Sequence, residues 1–368
     1  MSESSSDYSS IAQLLRALVN NHGSDLHLQS GEVPMGRIHG QLGRFEMPPL
    51  TEEDMLRLAG EVLGSEEKLK DFIATKDYDA AVSIPGLGRF RANLFYQREK
   101  PGMVLRTIGT RIPSLDELEL PPVLKTIAAA NEGLVLVTGA TGSGKSTTLA
   151  AMIDHINATE ACHILTLEDP IEFVHENKTG LVNQREIALD STSFAAALKH
   201  VLRQDPDVIL IGEMRDIESA SVALTAAETG HLVLATMHTQ DAPESIERVI
   251  NLFPTDRTPQ MRMQLSLGLR AIICQKLLPR KGGGRTAALE IMINSPRIKK
   301  LILEGETTKL SGVIQASRPD GMQTFNQALV DLVNAGKIEE SDALRVSPKP
   351  DELKMNLKGI YSGTGGAV

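Results

Sequence analysis

An eight-residue run, Gly139-Ala140-Thr141-Gly142-Ser143-Gly144-Lys145-Ser146, constrains this chain more than any other feature. It fits GxxxxGK[ST] and lies between an apolar run, LVLVT (Leu134–Thr138), and a helical pattern, TTLAAMIDHI, that starts at Thr147. Glycines at these places let backbone N–H groups wrap a phosphate, and the helix N-terminus behind them adds partial positive charge. Lys145 is then placed to reach the β- and γ-phosphates, and Ser146 to ligate Mg²⁺. A chance match arises in about 1% of chains this long, and the flanking strand and helix lower that figure. ATP with Mg²⁺ is the ligand this run predicts, on Gly139 through Thr147.

The surrounding sequence is α/β in character. Leu134–Thr138, Ile164–Leu167, Val208–Ile211 and Leu232–Thr236 are short runs rich in Val, Ile and Leu, with helical patterns between them. Such spacing predicts a parallel sheet buried on both faces. Met261, Leu265, Leu269, Ile272 and Ile273 predict a helix over Met261–Leu278, with further helices to about Lys358.

Several strand ends carry chemistry. DVILIGE (Asp207–Glu213) ends in an acid, with Gly212 where an Mg²⁺-holding Asp commonly stands. Glu213 can orient or deprotonate an attacking water, or be a surface acid after a core strand. LTLEDP (Leu165–Pro170) ends in Glu168 and Asp169, which either supply the missing carboxylate or form a strand-end turn. His231 and His238 bracket the fourth strand, as γ-phosphate sensors or as satisfied edge residues.

The first part of the chain reads as a small α+β domain. A helix is predicted over Ile11–Asn20 and one long helix over Thr51–Ile73. Strands are predicted over Asp25–Gln29, Arg37–Leu42, Tyr78–Ile84, Arg89–Tyr96 and Val104–Ile108. Arg89, Arg91 and Arg106 form a cationic group there, either a solvated strand face or a source of charge for a phosphate across a domain or subunit boundary. The expected division is a disordered 1–10, an α+β domain over 11–108, a Pro-rich linker over 109–122, the ATP-binding domain over 123–358 and a flexible tail over 359–368.

Composition narrows the function. With 38 Lys+Arg against 47 Asp+Glu the net charge is −9, and aromatics are 3%. Both argue against nucleic acid as the partner, which needs basic surface and stacking rings. Two cysteines, Cys162 and Cys274, make neither a disulfide framework nor a zinc cluster, so no zinc is expected and a reducing cytoplasm fits. The N-terminus does not read as a signal peptide, and no apolar run approaches the roughly 18–20 residues of a membrane span.

GATGSGKST, LTLEDPIEF, LIGEMRD and AETGHLVLATMHT together resemble, in order and spacing, the Walker A, Asp box, Walker B and His box of the secretion ATPase superfamily. With SDLHL, GRFRANLFYQ, LVNQRE and GMQTFNQAL added, the chain resembles the PilT/PilU family of type IV pilus retraction ATPases, over about Ile11 to Leu344. The resemblance implies a RecA-like P-loop ATPase domain preceded by a PAS-like α+β domain. It implies a homohexamer under the inner-membrane platform protein, cytoplasmic and peripheral at that membrane, with a paralogous retraction ATPase as a further partner. Glu213 matches the family's Walker B glutamate, and the family itself has Gly at the place of Gly212. Glu168 matches the Asp-box acid, His231 and His238 the His box, and Arg89, Arg91 and Arg106 the arginines that approach the nucleotide. The four-Cys zinc site and extra N-terminal domain of the extension ATPases have no counterpart. SPRIKKLILE (Ser295–Glu304) keeps only part of the AIRNLIRE signature of the PilT branch, so this stretch looks closer to PilU. Two other readings stand beside the motor: a nucleotide-gated accessory subunit docked on a principal motor, and a nucleic-acid translocase.

Overall fold

The computed structural model describes residues 10–38, 40–109 and 111–360. The disorder expected over 1–10 and 359–368 therefore falls outside the described residues, save at Ser10, Gly359 and Ile360. Two compact units emerge. Of the described residues, one is built on those up to Arg111 with Glu172–Val174, the other on Ile112–Ile171 and those from His175 to Ile360.

The smaller unit runs α1 (Ile11–Asn20), β1 (Gly23–Gln29), β2 (Met35–Ile38), β3 (Gln41–Arg44), α2 (Glu52–Leu63), α3 (Glu66–Thr75), β4 (Asp77–Ile84), β5 (Gly88–Gln97) and β6 (Lys100–Thr107). Its strands form one antiparallel sheet, ordered β3-β2-β1-β6-β5-β4. Ser10 and Thr51 start α1 and α2 with reciprocal capping boxes. The single helix expected over Thr51–Ile73 is instead two. Gly64 takes a left-handed φ of 62° and stops α2, and the chain restarts as α3 after Ser65. Leu14, Leu18, Met55, Leu58 and Phe72 from the helices pack on Leu26, Leu28, Leu94 and Leu105 from one face of the sheet.

The larger unit runs α4 (Val123–Ala128), β7 (Gly133–Thr138), α5 (Lys145–Thr159), β8 (His163–Glu168), β9 (Leu181–Glu186), α6 (Phe194–Val201), β10 (Val208–Ile211), α7 (Ile217–Glu228), β11 (Leu232–Met237), α8 (Ala242–Asn251) and α9 (Thr258–Gly268). Then come β12 (Leu269–Pro279), β13 (Arg285–Ile293), α10 (Pro296–Glu304), α11 (Leu310–Ala316), α12 (Phe325–Asn334), α13 (Glu340–Val346) and α14 (Pro350–Leu357). Its seven-stranded sheet is ordered β13-β12-β7-β11-β10-β8-β9 and is parallel except for β13. Every residue of β7, β10 and β11 is buried, because helices cover both faces. Among the described residues no helix is long and apolar enough to cross a membrane.

The helix expected over Met261–Leu278 needs correction. α9 ends at Gly268, and Leu269–Pro279 is strand, parallel to β7 and antiparallel to β13. The segment is buried on both faces, so its apolar residues are nearly continuous and satisfy a helical template as well as a strand one. β9 and β13 also interrupt what reads as helix or loop.

Ile273 lies wholly buried in β12 beside β7. Ile273→Ala is expected to lower stability by about 2–5 kcal/mol in urea unfolding. A loss under about 1 kcal/mol would contradict a central position for this strand.

Candidate functional site

The register of β7, β11, β10 and β8 brings their carboxyl ends to one edge of the sheet. Thr138 pairs with Met237, Ala235 with Ile211, and Ile211 with Leu167. Gly139, His238, Glu213 and Glu168 follow at that edge. With strands about 4.8 Å apart, β10 lies about 10 Å and β8 about 14 Å from β7.

The phosphate loop is shaped by what cannot fit. Gly139 has φ 141°, and a Cβ there would run into the Gln275 carbonyl and lie 2.7 Å from Ser143 Oγ. A Cβ on Gly144 (φ 89°) would lie 2.8 Å from Gln275 Nε2. Lys145 opens α5, and its Nζ donates to the carbonyls of Gly139 (2.7 Å) and Ala140 (3.0 Å). Ser146 and Thr147 follow, half-buried in the first turn of α5.

Gln275 holds this loop from the neighbouring strand. Its Nε2 donates to the Ser143 carbonyl at 2.8 Å, and its Oε1 accepts from Thr148 Oγ1 at 2.8 Å. It is 3% exposed. Reading β12 as helix hides this residue. The available signal is an amide within a mostly apolar run, LRAIICQKLLP, that also carries Arg270 and Lys276.

Glu213 follows β10. Its Oε2 accepts from Arg215 at 2.6 Å, and its Oε1 lies 3.3 Å from His238 Nε2. Burial pushes the Glu213 carboxyl up, but Arg215 and His238 outweigh burial and hold it below the usual carboxylate range. Gly212 sits in a tight place: a Cβ would lie 3.0 Å from the Leu167 carbonyl, so a side chain there requires the β8 backbone to give by a few tenths of an ångström. Thr236 Oγ1 donates to the Gly212 carbonyl and ties β11 to β10 at this point.

Glu168 ends β8 and accepts from Thr166 Oγ1 (2.6 Å) and Gln184 Nε2 (3.1 Å), the latter from β9. A further acid, Glu290 on β13, accepts the Ala242 N–H at the start of α8, just after the His238 loop. Burial raises its pKa to about 7.

Of the other sequence candidates in the larger unit, His231 is not gathered here. His231 precedes β11 at the opposite edge of the sheet, its Nδ1 3.0 Å from the Ala226 carbonyl. Arg89, Arg91 and Arg106 lie on β5 and β6 of the smaller unit. Among the described residues no group of three or more His, Cys, Asp or Glu is arranged to hold a metal ion.

Comparison with known proteins bears on this arrangement. Residues 104–282 match the family model described as type II/IV secretion system protein. The chain is 45% identical to the type IV pilus retraction ATPase PilT of Pseudomonas aeruginosa, over 93% of this chain and 99% of that one. It is 44% identical to the type IV pilus ATPase PilU of the same organism, over 94% and 91%. A crystal structure of the pilus retraction motor PilT with bound ADP superposes with a TM-score of 0.88 at 43% identity, covering 94% of this chain and 99% of that one.

Gln275→Leu keeps the volume of the clamp but strands the Ser143 carbonyl and the Thr148 hydroxyl in a buried place. Nucleotide affinity is expected to fall about tenfold, the equivalent of one to two lost hydrogen bonds. Equilibrium titration with a fluorescent ADP analogue checks this, and wild-type affinity would mean the loop holds its shape without the clamp.

Proposed function

The chain is an ATPase of the PilT/PilU family of secretion ATPases, and on that premise we propose that it is a homohexameric motor that drives type IV pilus retraction. In this reading it works in the cytoplasm against the inner-membrane platform protein, where ATP hydrolysis removes pilin from the pilus base and powers twitching. The relatives support the pilus task, and one observation supports hydrolysis: Glu213, with Arg215 2.6 Å and His238 3.3 Å from its oxygens, stands at the same sheet edge as the phosphate loop.

The chemistry follows from the residues. Gly139, Gly142 and Gly144 leave backbone where phosphate oxygens sit, and Lys145 exchanges its two loop carbonyls for the β- and γ-phosphates. Glu213 accepts the proton of the attacking water, and His238 beside Oε1 orients the carboxylate and senses the γ-phosphate. The residues present suit a magnesium ion carried in with ATP, because Ser146 offers a hydroxyl one residue after Lys145 and Glu168 a fixed carboxylate. Bound there, the ion neutralises charge on the phosphates. Arg89, Arg91 and Arg106 supply further positive charge from another unit or subunit, which makes turnover depend on assembly. His231 serves as a strut closing the end of α7 onto β11.

Identity does not separate the two branches, at 45% and 44%. What favours the PilU side is the sequence of α10 with its N-cap, SPRIKKLILE, which keeps only part of the PilT signature. We therefore favour a motor that reinforces a paralogous retraction ATPase. The neighbouring alternative is an accessory subunit that binds ATP and docks on that motor, separated by steady-state turnover of the pure protein. A nucleic-acid translocase is disfavoured by the net charge of −9.

Glu213→Gln keeps the shape of the side chain and loses the proton acceptor. ATP binding should stay within about threefold while turnover falls at least about a hundredfold. Equal loss of binding would make Glu213 a structural or metal-holding group. In cells, deletion of this protein should leave pilus extension and unloaded retraction intact and reduce the force single pili generate in an optical trap. Complete loss of retraction would make it the principal motor, and bald cells would reject retraction as its task.

A further inference from the structure

One face of the six-stranded sheet carries a line of charge that the proposed function uses only in part. Across β2, β1, β6 and β5 the residues in register are Arg37, Asp25, Arg106 and Arg91. They alternate with Leu26, Leu105, Phe90 and Ala92, which face the core. Arg106 and Arg91 are direct cross-strand neighbours. Like charges so placed destabilise a sheet unless something offsets them.

Asp25 is that offset. It is 4% exposed although its side chain points away from the core. It accepts from Arg106 Nε at 2.7 Å and from Ser24 Oγ at 2.6 Å, and Arg37 Nε stands 3.7 Å from its second oxygen. Burial pushes the Asp25 carboxyl up, but the Ser24 and Arg106 bonds prevail and keep it below its ordinary value. The bond to Arg106 is made through Nε, at the base of the guanidinium, and the Arg106 side chain remains 72% exposed. A carboxylate gripping Nε fixes the plane of the guanidinium and turns its terminal nitrogens outward.

We propose that Asp25 is the positioning residue of Arg106, holding its guanidinium so that the terminal nitrogens are presented to phosphate oxygens developing charge during hydrolysis. This rests on the reading of Arg106 as a source of charge for the nucleotide. A merely structural ion pair would contribute to stability and leave turnover alone.

The test uses the full-length, assembled protein and compares Asp25→Asn, Arg106→Ala, Arg106→Lys and the double variant Asp25→Asn/Arg106→Ala. Turnover, equilibrium ADP affinity and thermal unfolding are measured for each. Asp25→Asn should lower kcat about tenfold, because a misaimed charge loses most of its effect, with ADP affinity within about threefold. Arg106→Ala should lose at least as much, and the double variant no more than Arg106→Ala alone. Losses that multiply, or a normal kcat for Asp25→Asn beside an impaired Arg106→Ala, would overturn the proposal. Normal turnover of Arg106→Ala would instead remove the reading beneath it. Should Asp25→Asn fail to assemble, Arg106→Lys carries the test. Lysine keeps the charge but has no Nε–H to grip, so kcat should again fall about tenfold, and a wild-type kcat would refute positioning through Nε.

Discussion

The contact between β12 and the phosphate loop is the constraint on which the rest of this site depends. A loop that must wrap a phosphate with bare backbone cannot hold its own shape through side chains, because glycine supplies none. Here the shape is imposed from outside. The Gln275 carbonyl occupies the space a side chain at Gly139 would need, and the Gln275 amide joins Ser143 before the helix to Thr148 within it. The sheet order makes this possible, because β12 lies directly beside β7. Lys145 completes the closed loop by folding back on the carbonyls of Gly139 and Ala140, bonds that a phosphate can replace.

Around that fixed loop the charged groups are held by neighbours rather than by burial. Glu213 is partly buried, which alone favours its neutral form, yet Arg215 and His238 keep it ionised and so able to take a proton. Gly212 lets β10 approach β8 closely enough that a side chain would meet the Leu167 carbonyl. On the proposed reading, the carboxylate that other P-loop enzymes place at that residue is supplied by Glu168, which is anchored by Thr166 and Gln184 at the next strand end. The same device recurs on β1, where a buried carboxylate, Asp25, grips an exposed arginine.

What could be read from the chain follows from whether the physics is local. Gly139 to Ser146 are contiguous because a phosphate is wrapped by contiguous backbone, so the loop, its strand and its helix are legible at once. The strands before Glu213 and Glu168 are equally plain, being short apolar runs ending in an acid. β12 is not, because burial on both faces removes the alternation that marks a strand, and with β12 went Gln275. Gly64 divides a helical pattern through its left-handed backbone alone, without breaking the apolar spacing. His231 and His238 are read from the sequence as bracketing one strand, and the six residues of β11 put them at opposite edges, so only His238 stands beside Glu213. The alignment of Arg37, Asp25, Arg106 and Arg91 exists only through strand register, which no single segment reveals.

The most direct test of the account is a structure of the assembled protein with a non-hydrolysable ATP analogue and Mg²⁺. The account predicts the triphosphate in the loop from Gly139 to Thr147, Lys145 Nζ moved from the two carbonyls onto the β- and γ-phosphates, Gln275 still bridging Ser143 and Thr148, and Glu213 facing the γ-phosphate through a water. A nucleotide bound elsewhere, or a Lys145 that remains on its own loop with the triphosphate present, would contradict it.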